Sequence, residues 1–87
     1  MTNEEIIQLI NSTLAAEFEI EEGKMVPVAV LHDNLELDSL DRVDMVIVLE
    51  SAFRFKIREE KAIRDIRTLG DIHGFVINKV RDIEGKS

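Results

Sequence analysis

The sequence predicts an all-α protein, a small four-helix bundle of three longer helices and one short one, with a long first loop. Three observations carry that expectation. The pairs Thr2/Glu5, Asp38/Asp41 and Thr68/Asp71 have capping-box spacing, in which two side chains three residues apart satisfy each other's backbone amides. Each pair precedes apolar residues that recur at helical intervals. The apolar set is Ile, Val and Leu with four Phe and no Trp or Tyr, an aliphatic core suited to packed helices.

The first helix is read over 2–18. Ile6, Ile10 and Leu14 recur every four residues with Ile7 beside them and form its inward face. Glu4, Gln8, Asn11 and Glu17 fall on or near the opposite side. From 19 to 33 the pattern breaks: Glu21-Glu22-Gly23 is turn-like, and Pro27 forbids a regular helix. Val26, Val28 and Val30 alternate as in a strand, but no partner strand is visible. The segment is therefore read as a long extended loop pinned by its valines and by Leu31.

The second helix starts at 38 or 39 and ends at about 53. Asp38 is its cap, which leaves Ser39 at the first helical position with its hydroxyl outside the helix barrel. Met45, Val46, Leu49 and Phe53 make the best core stripe, while Leu40, Val43 and Ile47 form a second stripe close to Ser39. After it, Phe55 and Ile57 plug the bundle from a connecting segment. Residues 58–65 make the short helix, with Ala62, Ile63 and Ile66 as its contacts and pairs such as Glu60 with Arg64 on a solvated face. The last helix runs from 68 to about 81, with Leu69, Ile72, Val76 and Val80 facing inward. Gly74 in its middle suggests close packing, and the tail from Glu84 to Ser87 is expected to fray.

Eighty-seven residues make one domain, 1–87, and a chain this short buries only about 60% of its unfolded surface. Without cysteine there is no disulfide or thiolate metal site. No stretch approaches the roughly 20 apolar residues of a membrane span, and the N-terminus is acidic, so a cytoplasmic protein is expected. Residues 1–50 hold two basic and twelve acidic side chains, whereas 51–87 hold nine basic and six acidic, for a net charge of −7. An acidic half would repel nucleic-acid phosphates and favours partners with basic patches.

No catalytic set is visible. A serine nucleophile wants a histidine base, but His32 lies in the loop and His73 on the last helix, and both read as surface residues. The acids Asp33, Glu36 and Asp38 lack the glycine and terminal glutamate of a calcium loop, and no metal site is expected.

Asp38-Ser39-Leu40 followed by an amphipathic helix resembles the attachment site of acyl carrier proteins. Asn34-Leu35 before it, and Asp41, Val43, Asp44, Leu49, Glu50 and Phe53 after it, extend the match. Thr68-Leu69-Gly70-Asp71 and Phe75-Val76 resemble the start of that family's closing helix. The resemblance implies a non-enzymatic carrier, in which Ser39, flanked by Asp38 and Leu40, bears 4′-phosphopantetheine derived from coenzyme A. It implies that a phosphopantetheinyl transferase attaches the arm, and that synthases and transferases with basic docking patches use the acyl thioesters. Asp41, Val43, Asp44, Ile47 and Glu50 match the surface those partners read, and an acyl chain can lodge between the helices. A monomer serving fatty-acid, lipid or polyketide synthesis is expected.

Three departures stand out. Glu36 occupies the place of a glycine that tolerates positive φ, Ser51 and Ala52 stand where the family is often acidic, and Arg58, Lys61, Arg64 and Arg67 make an ordinarily acidic region basic. Two other readings stay open: a free-standing aminoacyl or peptidyl carrier, and an unmodified helical adaptor. Asp38 before the serine favours the acyl carrier over the peptidyl one, where glycine is more usual.

Overall fold

A computed structural model describes residues 1–56 and 63–85. Within them the chain forms α1 (Asn3–Phe18), a 3-10 turn (Glu22–Lys24), α2 (Ser39–Phe53) and α3 (Leu69–Gly85), with no strand among the described residues. The all-helical class predicted from the sequence is the observed one. Most of the short helix expected over 58–65, and Ile57, lie outside the described residues; Ile63 and Arg64 are helical.

All three capping boxes form. Thr2 Oγ1 accepts from the Glu5 amide while Glu5 Oε1 accepts from the Thr2 amide, at 3.1 and 2.8 Å. Asp71 does more, its Oδ2 accepting from the amides of both Arg67 and Thr68 at 3.0 and 3.1 Å. Backbone donors favour the ionised carboxylate, so those from Thr2 hold Glu5, and those from Arg67 and Thr68 hold Asp71, below the usual carboxylate range.

α1 packs against both α2 and α3 and is the spine of the core. Ile6, Ile10 and Leu14 from α1, Met45 from α2, and Leu69, Ile72 and Val76 from α3 are almost wholly buried. Within α2, Met45 and Leu49 are buried as expected, whereas Val46 is half-buried and Phe53 is half-buried against the core. Phe55 is buried and stacks on Phe53, with ring centroids 5.7 Å apart.

The first loop is held in place by Leu31, as expected, but among its valines only by Val30. Val26 and Val28 point outward, and Met25, Ala29 and Leu31 are buried instead. The reason is the partner, which the sequence pattern did not show. Val30 and Thr68 form a lone antiparallel bridge, with Leu31 N–H donating to Arg67 C=O and Leu69 N–H to Ala29 C=O, both at 2.9 Å. Gly70 N–H donates to Pro27 C=O at 2.8 Å, extending the seam into α3. A Cβ on Gly70 would lie 2.9 Å from that same oxygen, so the close approach needs glycine here. Gly74, expected to serve close packing, instead faces open space.

Three more expectations are corrected. α3 continues to Gly85 rather than stopping near 81, and Glu84, placed in the fraying tail, accepts from Arg81 at 3.2 Å. Arg81 also reaches α1, donating to Asn3 Oδ1 and to the Met1 carbonyl, so the two helix ends are clasped. His73 is buried rather than on the surface, and Asn11, assigned to the outer side of α1, is half-buried against it. No described helix is long and apolar enough to cross a membrane.

Candidate functional site

Ser39 is exposed and is the first residue of α2. Asp38 precedes it in extended conformation, its Oδ1 accepting from the Asp41 amide at 2.9 Å. Asp41 Oδ2 returns the bond to the Asp38 amide at 3.1 Å. The first turn of a helix carries unpaired amides and partial positive charge, a favourable field for an anionic group attached at this position.

The turn into the serine is built by alternation. Leu35 and Leu37 are buried, which turns Glu36 and Asp38 outward. Asn34 closes the turn upstream, its Oδ1 accepting from the Val30 amide at 2.7 Å and its own amide donating to Val30 C=O at 2.8 Å. The turn chemistry of asparagine is a legible signal, and it identifies Asn34 as a positioning residue beyond its place in the motif. Leu37 N–H donates to Leu31 C=O at 2.9 Å, tying the turn to the pinned loop.

Glu36 adopts φ 57°, the left-handed conformation, although it is not glycine. A residue with a Cβ therefore sits here in a backbone conformation that favours glycine. A left-handed residue with a Cβ costs about 1–2 kcal/mol, partly offset by the greater entropy of glycine in the unfolded chain. Glu36→Gly is expected to raise stability by about 0.5–1 kcal/mol, which thermal melting would read as a few degrees.

Along the exposed side of α2, Leu40 is 76% exposed and Val43 and Ile47 are each 58% exposed. Asp44 is exposed beside them, and Asp41 and Glu50 are half-buried on the same helix. Val43 and Ile47, from the second stripe expected of the sequence, both face outward. An open groove of about 520 Å³ runs from Ser39 past Arg42, Val43, Val46, Ile47 and Glu50 to Ile63 and Arg64. Arg42, Ile63 and Arg64 are groove residues that the sequence motif did not single out. Among the described residues no group of acids and histidines is arranged to hold a metal, and Asp33, Glu36 and Asp38 form no such set.

These features define a small all-α bundle presenting one serine at the mouth of a capped, acidic helix. The chain matches no family model. It is 32% identical over 80 residues to the acyl carrier protein of Thermosynechococcus vestitus, covering 92% of this chain and 98% of that one. It is 37% identical over 76 residues to acyl carrier protein 2 of Ralstonia nicotianae, covering 87% and 93% respectively. A third relative, the acyl carrier protein of Rubrobacter xylanophilus, is 35% identical over 77 residues, or 88% of this chain and 94% of its own. The chain belongs to the acyl carrier protein family, and relatives of that name support a carrier role.

Proposed function

We propose that this chain carries acyl groups as thioesters on a 4′-phosphopantetheine arm joined to Ser39, in fatty-acid or related lipid or polyketide synthesis. The carrying observation is the placement of Ser39: exposed, first in a helix, and next to a formed Asp38–Asp41 cap. The residues fit the group. Ser39 Oγ supplies the ester oxygen, and the first-turn amides of α2 favour the phosphodiester charge. When bound, the arm supplies a thiol that holds acyl cargo as a thioester. The chain's own part is to hold and present that cargo, raising the effective concentration seen by a docked enzyme.

The partners in this reading are a phosphopantetheinyl transferase, drawing on coenzyme A in the cytoplasm, and acyl synthases or transferases with basic patches. Asp41, Val43, Asp44, Ile47 and Glu50 would form the docking face, since an apolar stripe rimmed by acids suits such a patch. The groove walls Val43, Val46, Ile47 and Ile63 offer apolar surface to an acyl chain beside the arm. The protein is expected to act as a monomer and to catalyse nothing itself.

The test is intact mass after incubation with coenzyme A and a broad-specificity transferase. Wild type is expected to gain one phosphopantetheine and Ser39→Ala none. An unmodified wild type, or equal addition to the variant, would overturn the assignment. Loading with an aminoacyl rather than an acyl group in the native cell would select the peptidyl-carrier reading. A native protein without the arm would select the adaptor.

A further inference from the structure

Among the described residues, the contact between α1 and α3 contains a polar pair, a buried His73 and a half-buried Asn11, beside aliphatic side chains. His73 lies on the inward stripe of α3 with Leu69, Ile72, Val76 and Val80, and is 5% exposed. Its Nε2 is 2.7 Å from Asn11 Oδ1 on α1. An amide oxygen only accepts, so the imidazole donates through Nε2. A valine or isoleucine would fill such a position with no polar atom to satisfy, yet here the position holds a titratable ring.

We propose that His73, bonded to Asn11 across the α1–α3 contact, is a proton-operated latch whose protonation loosens the first helix from the last. The argument rests on what surrounds the ring. On α3 the residues three and four positions away are Leu69, Gly70, Val76 and Ile77, all uncharged; Asp71 is exposed and engaged in the helix cap, and Lys79 is six positions on. On α1 the charged residues are Glu4, Glu5 and Glu17, none closer to Asn11 than six positions. The loop seam against the start of α3, residues 25–31, carries no charge at all. Among the described residues no acidic side chain is bonded to His73, so a cation formed there would enter an aliphatic contact, and such burial is costly.

Burial alone holds the imidazole below its ordinary value of 6.5. The sign of the effect follows. The unfolded chain takes up this proton first as pH falls, so the latch contributes fully above about pH 6.5 and its contribution is lost toward the depressed folded value. Glu5, Asp71 and Glu84 also shift, but downward from 4.5, 3.8 and 4.5, so their losses come at lower pH. The interval from about pH 6.5 to 5 belongs to the histidine. The device holds whether or not Ser39 bears an arm.

The experiment is urea unfolding of the whole chain from pH 7.5 to 5, followed by helical circular dichroism, with the imidazole signals titrated by NMR. In wild type the unfolding constant is expected to rise with acidification by up to about tenfold per pH unit, the limit for one proton. His73→Gln should flatten that dependence, while His32→Gln, at the exposed histidine, should leave it intact. In wild-type NMR, His73 should titrate below the ordinary imidazole value of 6.5. An unchanged slope in His73→Gln, or titration of His73 at or above 6.5 in the folded protein, would overturn the proposal. The NMR comparison decides the matter even if His73→Gln does not fold.

Discussion

Ile47→Arg is expected to leave the fold and its melting temperature nearly unchanged, yet to slow transfer of the arm onto Ser39 by about 30-fold. Ile47 is 58% exposed on α2, so an arginine there displaces no core packing, and arginine is the better helix former. The charge is what matters to a partner. The proposed docking face combines the apolar stripe of Leu40, Val43 and Ile47 with Asp41, Asp44 and Glu50, and a basic enzyme patch would meet a like charge at its centre. Losing an interface anchor costs about 2 kcal/mol or more, which is the stated factor in rate at subsaturating substrate. The control is Ser12→Arg, which adds the same charge on α1. Initial rates of modification by intact mass would separate the two. Equal rates for both variants would mean that transferase recognition does not use this stripe.

Much of the fold was legible because its helix starts are set by local chemistry. Thr2, Asp38 and Thr68 cap their helices through side chains three residues away, and such pairs form whatever the rest of the chain does. The position of Ser39 at the start of α2 followed from the same reasoning. What the sequence did not show depends on contacts distant in the chain. The outward valines of the first loop follow from a seam with residues 67–70, some forty positions away. The close-packed glycine is Gly70 rather than Gly74 because Pro27 comes from that seam. His73 reads as a surface residue until Asn11 is found opposite it, sixty-two positions earlier in the chain. Glu36 in the left-handed region is a special case, since its φ is imposed by the buried leucines on either side against its own preference.

The seam leads to the second large effect, since Leu31→Ala is expected to lower stability by about 2–5 kcal/mol. Leu31 is fully buried although it lies in a loop, and two bonds make it a junction. Its amide donates to Arg67 C=O, and its carbonyl accepts from Leu37, two residues before Ser39. Truncation would open a cavity at the point where the loop, the start of α3 and the turn into α2 meet. In a domain this small such a loss is a large share of the total, so the midpoint in urea should fall sharply. Val28→Ala is the informative partner, because Val28 is 81% exposed in the same loop and its truncation should shift the midpoint little. If the two variants unfolded at the same denaturant concentration, the loop would not be anchored by its buried residues Met25, Ala29 and Leu31. If Leu31→Ala alone were weak, Ser39 would be positioned by the α2 cap without help from the seam. The expected result makes the long loop part of the frame that presents the serine, with its backbone polar groups paired to α3 and its leucine built into the core.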